Sequence, residues 1–481
     1  MEARAHELAN RIRAADRVGV YSHIDADGIT GGAIASEALS RADIPHDVSF
    51  LKKLDEASIQ IIRREAPPVA WFVDFGAGQL HLMGGLDAVI TDHHVPTSQD
   101  IPADRRRDLV RFAEDEDRLL MLNPHMEGED SDVVSGAGLA YAVAKALDPK
   151  NTDLAAVAIV GAVADVQDQE FRRLRGFNRT IRQDGTDAGV VQASTDLRLF
   201  GRETRPIHKM LEYSNDPWIP RLSGNEEACI SFLLEIGLDL KSDETWRTWS
   251  ELEAGEKRRV VSEVVAHMLS RGCGWKEVQR LVGEVYTLVR EPVGSPTRDA
   301  KEFGTLINAC GRYDAAEIGY RVCRGDRSEA LEEAFRLLAG HREHLVSSLG
   351  WIEQVGLSTL DAIQYFHAED KIRDTVVGIA AGIALQSTGN RQMPMLAFAY
   401  APDGVKVSAR ASRELVARGL DLAAIMREAS KKFGGEGGGH HGAAGATIPR
   451  GTEQDFARAV DVLVKAQLSA SNRGTSGPGQ T

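Results

Sequence analysis

The chain has 481 residues, 43% hydrophobic and 27% charged, which is ordinary for a globular protein and too long for a single hydrophobic core. Its net charge of -14 argues against non-specific coating of duplex nucleic acid, because phosphate repulsion would have to be overcome locally, but not against an enzyme with a local cationic groove. Cys229, Cys273, Cys310 and Cys323 show no Cys-x-x-Cys spacing and read as reduced thiols. With no apolar secretory segment near the charged N-terminus and no bilayer-length apolar run, a cytoplasmic protein without membrane partners is expected.

Residues 1–15 read as an amphipathic helix leading into a strand at 18–21. His23-Ile24-Asp25-Ala26-Asp27-Gly28 follows, then a helical pattern through Ala42. Further strands are expected at 48–51, 71–73, 88–90 and 119–122, and helices at 57–65, 138–146 and 153–164. Strands alternating with helices predict a parallel α/β sheet, with ligands outside the carboxyl ends of the strands. Arg172, Arg173, Arg175, Arg179 and Arg182 form a basic run that reads as a solvated helix face. Residues 200–350 read as mostly helical. Beyond Asp374, a β-hairpin is expected over 395–408 around Pro402-Asp403-Gly404, and then a helix at 422–431. A glycine-rich stretch from Gly434 to Gly445 comes next, and a Ser/Gly/Asn/Thr-rich tail after Leu468 reads as disordered.

The chemistry concentrates at the ends of apolar runs. Val18–Tyr21 precedes His23, Asp25 and Asp27; 70–73 precedes Asp74; 88–90 precedes Asp92-His93-His94; and 158–164 precedes Asp165. Taken alone, Asp92-His93-His94 reads equally as a turn with an N-capping Asp and two surface histidines. Repetition of the pattern favours convergence of five carboxylates and three histidines at one sheet edge. Crowded carboxylates would be forced to protonate unless cations neutralised them. Eight such groups exceed the needs of one ion, and two divalent ions would use most of them. Mixed imidazole and carboxylate ligation suits Mn²⁺ better than Mg²⁺. Paired ions are a common device for displacement at phosphorus. Gly438, Gly439 and His440 read as a phosphate grip, since glycines let backbone N–H groups approach an anion, with Arg410 as a bidentate companion.

These motifs resemble a known family. His23-Ile24-Asp25-Ala26-Asp27-Gly28, Val73-Asp74, Asp92-His93-His94 and Asp165 look like the four motifs of the DHH phosphoesterase superfamily. Gly438-Gly439-His440 with Ala443-Ala444-Gly445 looks like the signature of its partner domain, DHHA1. The segments 222–227, 283–286, 295–303 and 308–312 resemble archaeal RecJ-like exonucleases of the GINS-associated type. The resemblance implies a DHH catalytic domain over 1–190, a helical middle over 191–350, a smaller α/β DHHA1 substrate-binding domain over 351–467, and a disordered tail over 468–481. It implies that His23, Asp25 and Asp74 hold one metal ion, and that Asp27, Asp74, His93 and Asp165 hold the second. His94 would face the scissile phosphate and Asp92 would orient a histidine. Asn308, Arg312, Arg410 and His440 would hold the substrate backbone. Implied partners are single-stranded DNA or RNA, the GINS complex and the replicative helicase. No region is left over for the OB-fold of bacterial RecJ, and His441 beside His440 leaves open which histidine grips phosphate. Three other readings differ in class. A DHH phosphodiesterase for short oligonucleotides or cyclic dinucleotides lacks the long middle. A replisome scaffold loses metal ligands. A pyrophosphatase of the superfamily is disfavoured by size.

Overall fold

The computed structural model describes residues 1–96 and 118–474. The chain divides into two compact units, Met1–Phe335 and Arg336–Thr481.

The first unit is built on five strands, β1 (Val18–His23), β2 (His46–Leu51), β3 (Val69–Val73), β4 (Ala88–Thr91) and β5 (Leu119–Leu122). They form one parallel sheet in the order β2-β1-β3-β4-β5. All residues of β3 and β4 are buried, as expected of central strands covered on both faces. One face packs Tyr21, Phe72 and Ile90 against Ile59 and Ile62 of helix Glu56–Glu65. Helices Ala26–Arg41, Gly136–Leu147 and Ala155–Ala164 pack on one another, and the first two also pack on the strands. Side-chain caps start two of these helices: Asp25 accepts from the Gly28 amide at 3.0 Å, and Ser135 from the Gly138 amide at 3.1 Å.

After residue 190 the pattern reading needs one correction. The middle is mostly helical, but Val282–Leu288 is a strand, β9, paired antiparallel with β6 (Val191–Leu197). A short hairpin, β7 (Lys241–Ser242) and β8 (Thr245–Trp246), lies between them in sequence. Helices on either side conceal the alternation of Val282-Gly283-Glu284-Val285-Tyr286. This region has its own core, including Leu197, Met210, Trp249, Val260, Val264 and Leu281.

The second unit has a mixed sheet in the order β10-β11-β12-β13-β15-β14. The strands are β10 (Ser358–Thr359), β11 (Gln364–His367), β12 (Met395–Ala401), β13 (Gly404–Arg410), β14 (Glu436–His440) and β15 (Ala443–Ile448). Alternation along β12 sends Met395, Ala397 and Ala399 toward helix Asp374–Ser387, and Leu396 and Phe398 into the core shared with helix Leu422–Lys432. The glycine run read as a phosphate grip is the edge strand β14 and its approach. Helix Glu453–Gly474 continues past Leu468 into the segment read as disordered, and residues 475–481 of that tail lie outside the described residues. Among the described residues, no helix is long and apolar enough to cross a membrane.

Packing explains much of the glycine run. A Cβ on Gly437 would stand 2.5 Å from the Met426 carbonyl oxygen, a backbone atom of the helix beneath, whereas a Cβ on Gly438 would meet nothing within 4 Å. Gly437→Ala should therefore destabilise the fold by about 1–3 kcal/mol, and Gly438→Ala by less than about 0.5 kcal/mol. Urea denaturation of both variants checks this contrast.

Candidate metal centre

His23 ends β1, Asp74 follows β3, and Asp92, His93 and His94 follow β4. The pairings Ser22↔Val73 and Val73↔Thr91 bring these three strand ends level. The strand order reverses between β1 and β3, so the cluster sits at the topological switch point, where open α/β sheets bind ligands.

Asp74 is the centre of this cluster. Its backbone is left-handed, with φ of 64°, a conformation that costs about 1–3 kcal/mol for a residue with a side chain. Helix Gly136–Leu147 begins directly against it: a Cβ on Gly136 would stand 2.6 Å from Asp74 Oδ1. Both carboxylate oxygens are buried and have no hydrogen-bond partner among the described residues. Oδ2 lies 3.4 Å from His23 Nδ1, and Oδ1 lies 3.4 Å from His93 Nε2. His23 Nδ1 also lies 3.0 Å from Asp25 Oδ2. A buried carboxylate without a hydrogen bond is costly unless cationic partners lie beside it.

Asp27 lies within the first turn of its helix, and its carboxylate accepts from the Gly136 amide at 2.6 Å and the Ala137 amide at 3.1 Å. The N-terminus of a second helix thus favours the charged form against burial. Asp165 follows the end of helix Ala155–Ala164. It therefore reaches the cluster from a helix end, not a strand end, which corrects the reading that all five acids converge from strand ends. Its Oδ2 is 3.6 Å from His93 Nε2. His93 Nδ1 donates to the Ser131 carbonyl at 2.9 Å, so Nε2 is the ring atom that faces the acids. Asp92 plays a different part. It accepts from the Ala77 amide at 2.8 Å, the His94 amide at 3.0 Å and His94 Nδ1 at 2.8 Å. With these bonds made, it fixes the His94 ring.

Three sets of side chains have ligand-type atoms within 4.8 Å of one another: His23, Asp25 and Asp74; Asp27, His93 and Asp165; and Asp74, His93 and His94. Asp74 and His93 each belong to two sets. This oxygen-and-imidazole donor set, with Asp74 left bare, fits divalent cations.

Ionisation follows from the crowding. Burial raises Asp165 to about 6, against the pull of His93, and raises Asp27 together with repulsion from Asp74 and Asp165. Burial opposes charging of His93, but Asp165, Asp74 and Asp27 together raise it well above the usual imidazole range. Burial likewise opposes charging of His23, and Asp25 and Asp74 outweigh it. For His94, Asp92 overcomes burial and raises the ring to about 9. Asp92 itself falls to about 2, because His94 outweighs burial.

Two of the residues expected at the substrate accompany the cluster. Asn308, on helix Ala300–Arg312, accepts from the Ala26 amide at 3.1 Å through Oδ1, so it anchors the loop carrying His23 and Asp25. Burial lowers Arg312 at the end of the same helix, and the charge of Asp25 opposes that. Arg410, Gly438, Gly439 and His440 belong to the second unit. There Arg410↔Ala443 and His440↔Ala443 pairing puts Arg410 and His440 in one row across β13, β15 and β14. Arg410 donates to the Ala409 carbonyl at 2.9 Å, and burial alone depresses its pKa. His441 instead lies 3.8 Å from Asp421.

Pattern reasoning missed the supports. Gln167 donates to Asp165 at 2.9 Å and to the Ser131 carbonyl at 3.0 Å, and it accepts from Asn178 at 2.6 Å. Its place two residues after Asp165 is the only sequence signal for it. The Gly136 and Ala137 amides carry none.

Acids and imidazoles gathered at the switch point of a parallel sheet could hold divalent ions, and the chain is an α/β protein of two compact units. Family models match as a DHH-CID domain over residues 199–282 and a DHHA1 domain over residues 361–466, so the chain is similar to RecJ-like DHH/DHHA1 proteins. It is 27% identical over 457 residues to the uncharacterized protein MJ0831 of Methanocaldococcus jannaschii, covering 94% of each chain. It is 27% identical over 220 residues to the single-stranded-DNA-specific exonuclease RecJ of Thermus thermophilus, covering 43% of this chain and 30% of that one. Two solved structures share the fold over almost the whole chain. Exonuclease RecJ bound to manganese has a TM-score of 0.56 at 18% identity, covering 99% of this chain and 96% of that one. CDC45 from Entamoeba histolytica has a TM-score of 0.61 at 12% identity, covering 95% and 97%. The chain spans only 54% of the Thermus thermophilus RecJ solved with Mn²⁺.

The raised groups set a pH dependence. Asp165 stabilises the metal-free fold most below its ordinary value near ~4, and that contribution is lost as pH rises through about 6. The raised histidines contribute below ~6.5 and lose it as pH rises further, through about 9 for His94. A bound cation replaces these protons. The gain in Tm from Mn²⁺ over chelator should therefore be larger at about pH 8 than at about pH 5. Thermal unfolding in both buffers measures it, and equal gains would mean that the ion binds elsewhere.

Proposed function

We propose that the chain is an exonuclease that hydrolyses phosphodiester bonds of single-stranded nucleic acid with two divalent ions, Mn²⁺ preferred over Mg²⁺, in DNA replication or repair. The observation that carries this reading is Asp74. Its two bare, buried oxygens face two separate sets of ligand-type residues. In this reading His23, Asp25 and Asp74 hold one ion, and Asp27, Asp74, His93 and Asp165 hold the other. Such ions, when bound, neutralise phosphate charge and supply hydroxide from water at neutral pH. Asp92 holds His94 toward the scissile phosphate. Asn308 steadies the ligand loop. Arg312, Arg410 and His440 bind backbone phosphates, and the open space over Gly438 lets a phosphate approach the chain.

The CDC45 likeness supports a second reading, a replication scaffold. The retained set of ligand-type residues favours nuclease activity alongside any scaffold role. The GINS complex and the replicative helicase are the proposed partners, tested by co-purification at low salt. Digestion of end-labelled DNA and RNA strands of graded length separates the exonuclease from an enzyme that takes only short oligonucleotides.

Asp74→Ala should lower the rate on single-stranded DNA in Mn²⁺ by at least ~10³-fold, which is about 4 kcal/mol of barrier. Asp92→Asn should lower kcat while leaving the Mn²⁺-induced rise in Tm in place, since it orients His94 and binds no ion. Near wild-type cleavage by Asp74→Ala would refute the site.

Arg410→Ala should weaken binding to single strands and reduce the slope of log affinity against log salt by about 0.7. Fluorescence anisotropy across a salt series reads this, and an unchanged slope would remove Arg410 from the phosphate contacts.

A further inference from the structure

A cavity of about 290 Å³ opens in the first unit, away from the metal cluster. It lies among the far ends of elements that carry site residues. Helix Ala26–Arg41 begins at the Asp25-Asp27 loop, and Ile34, Glu37 and Arg41 reach the cavity from its second half. Asp27 and Arg41 are roughly 20 Å apart along that helix at 1.5 Å per residue. Helix Ala155–Ala164 leads to Asp165 at one end and supplies Ala156 and Val157 to the cavity at the other. Helix Ala300–Arg312, which carries Asn308, contributes Phe303.

Ile34, Val157, Leu288 and Phe303 are among its apolar lining residues, together with four arginines and three acids. Three of the arginines are occupied: Arg41 by Asp153 at 2.7 Å, Arg324 by Glu37 at 2.6 Å, and Arg327 by Glu291 at 2.6 Å. Arg290 is the exception. Among the described residues it has no carboxylate within ion-pairing distance, and its one hydrogen bond, to the Ala188 carbonyl, is 3.5 Å long.

We infer that this cavity is a second binding site, and that its ligand is a nucleoside monophosphate. The apolar lining takes the base, and Arg290, the arginine outside these three ion pairs, takes the phosphate. The volume stands at the lower edge of the ~300–1,000 Å³ usual for ligand pockets, the range of a small ligand such as a single nucleotide. The site itself stands on the cavity. Naming a nucleotide rests on the proposed nuclease reading, whose product has this chemistry.

The test is thermal unfolding and titration calorimetry of the full chain in excess chelator, with adenosine 5′-monophosphate, adenosine and inorganic phosphate as probes. The monophosphate should raise Tm saturably by at least about 2 °C, and adenosine and phosphate should each do less. Arg290→Ala, on the surface, should weaken monophosphate binding at least fivefold. Val157→Phe, which fills the slot from a partly exposed position, should abolish it while the ligand-free Tm stays near wild type. The same binding should persist in Asp74→Asn, so failed hydrolysis and failed binding are told apart. No shift with the monophosphate, an equal shift with inorganic phosphate, or a shift unchanged in both cavity variants would overturn the site.

Discussion

The carboxylate of Asp74 is the constraint on which the first unit depends. Both of its oxygens are buried without a hydrogen bond, and its backbone is left-handed. Neither feature stabilises the fold. Both are tolerated because the flanking elements over-determine the position: β3 is buried throughout, and the start of helix Gly136–Leu147 leaves no room for a Cβ beside the carboxylate. The resulting charge is placed where the sheet order reverses, and cations are its natural complement.

Around that carboxylate, the other acids divide into two kinds. Asp25 and Asp165 each retain ligand-type oxygen close to a histidine, and Asp27 does so while two backbone amides hold it. Asp92 has its capacity filled by Ala77 and His94, so its charge is expressed through the His94 ring. One tripeptide therefore supplies a positioning acid, an inward imidazole and an outward imidazole. His93 is fixed by a carbonyl on Nδ1 and His94 by a carboxylate on Nδ1, and both rings keep Nε2 available.

Much of the fold was legible because β3, β4 and β5 are short apolar runs with clear ends. The grouping of His23, Asp74 and His93 was legible for the same reason, since parallel strands with matched registers bring their ends level. Asp165 follows the helix expected over 153–164; the reading erred only in grouping it with the acids at strand ends. Gln167, Asn178 and the Ser131 carbonyl were not legible. They are recruited by tertiary packing, and nothing local marks a backbone carbonyl as a ring anchor. β9 was hidden by its helical neighbours. The glycine run was legible as a departure from ordinary sequence but not as a strand, because the need for glycine at Gly437 comes from a helix carbonyl pressed against it.

The left-handed backbone at position 74 has an evolutionary consequence. Among residues with a side chain, asparagine tolerates this conformation about as well as aspartate does, and the two are separated by a single base change. Replacement by asparagine would keep the turn and the close approach of Gly136, and would remove the bare charge. A lineage of this fold can therefore lose its shared ligand in one step without losing its architecture, and drift from cutting toward holding while its surface stays intact.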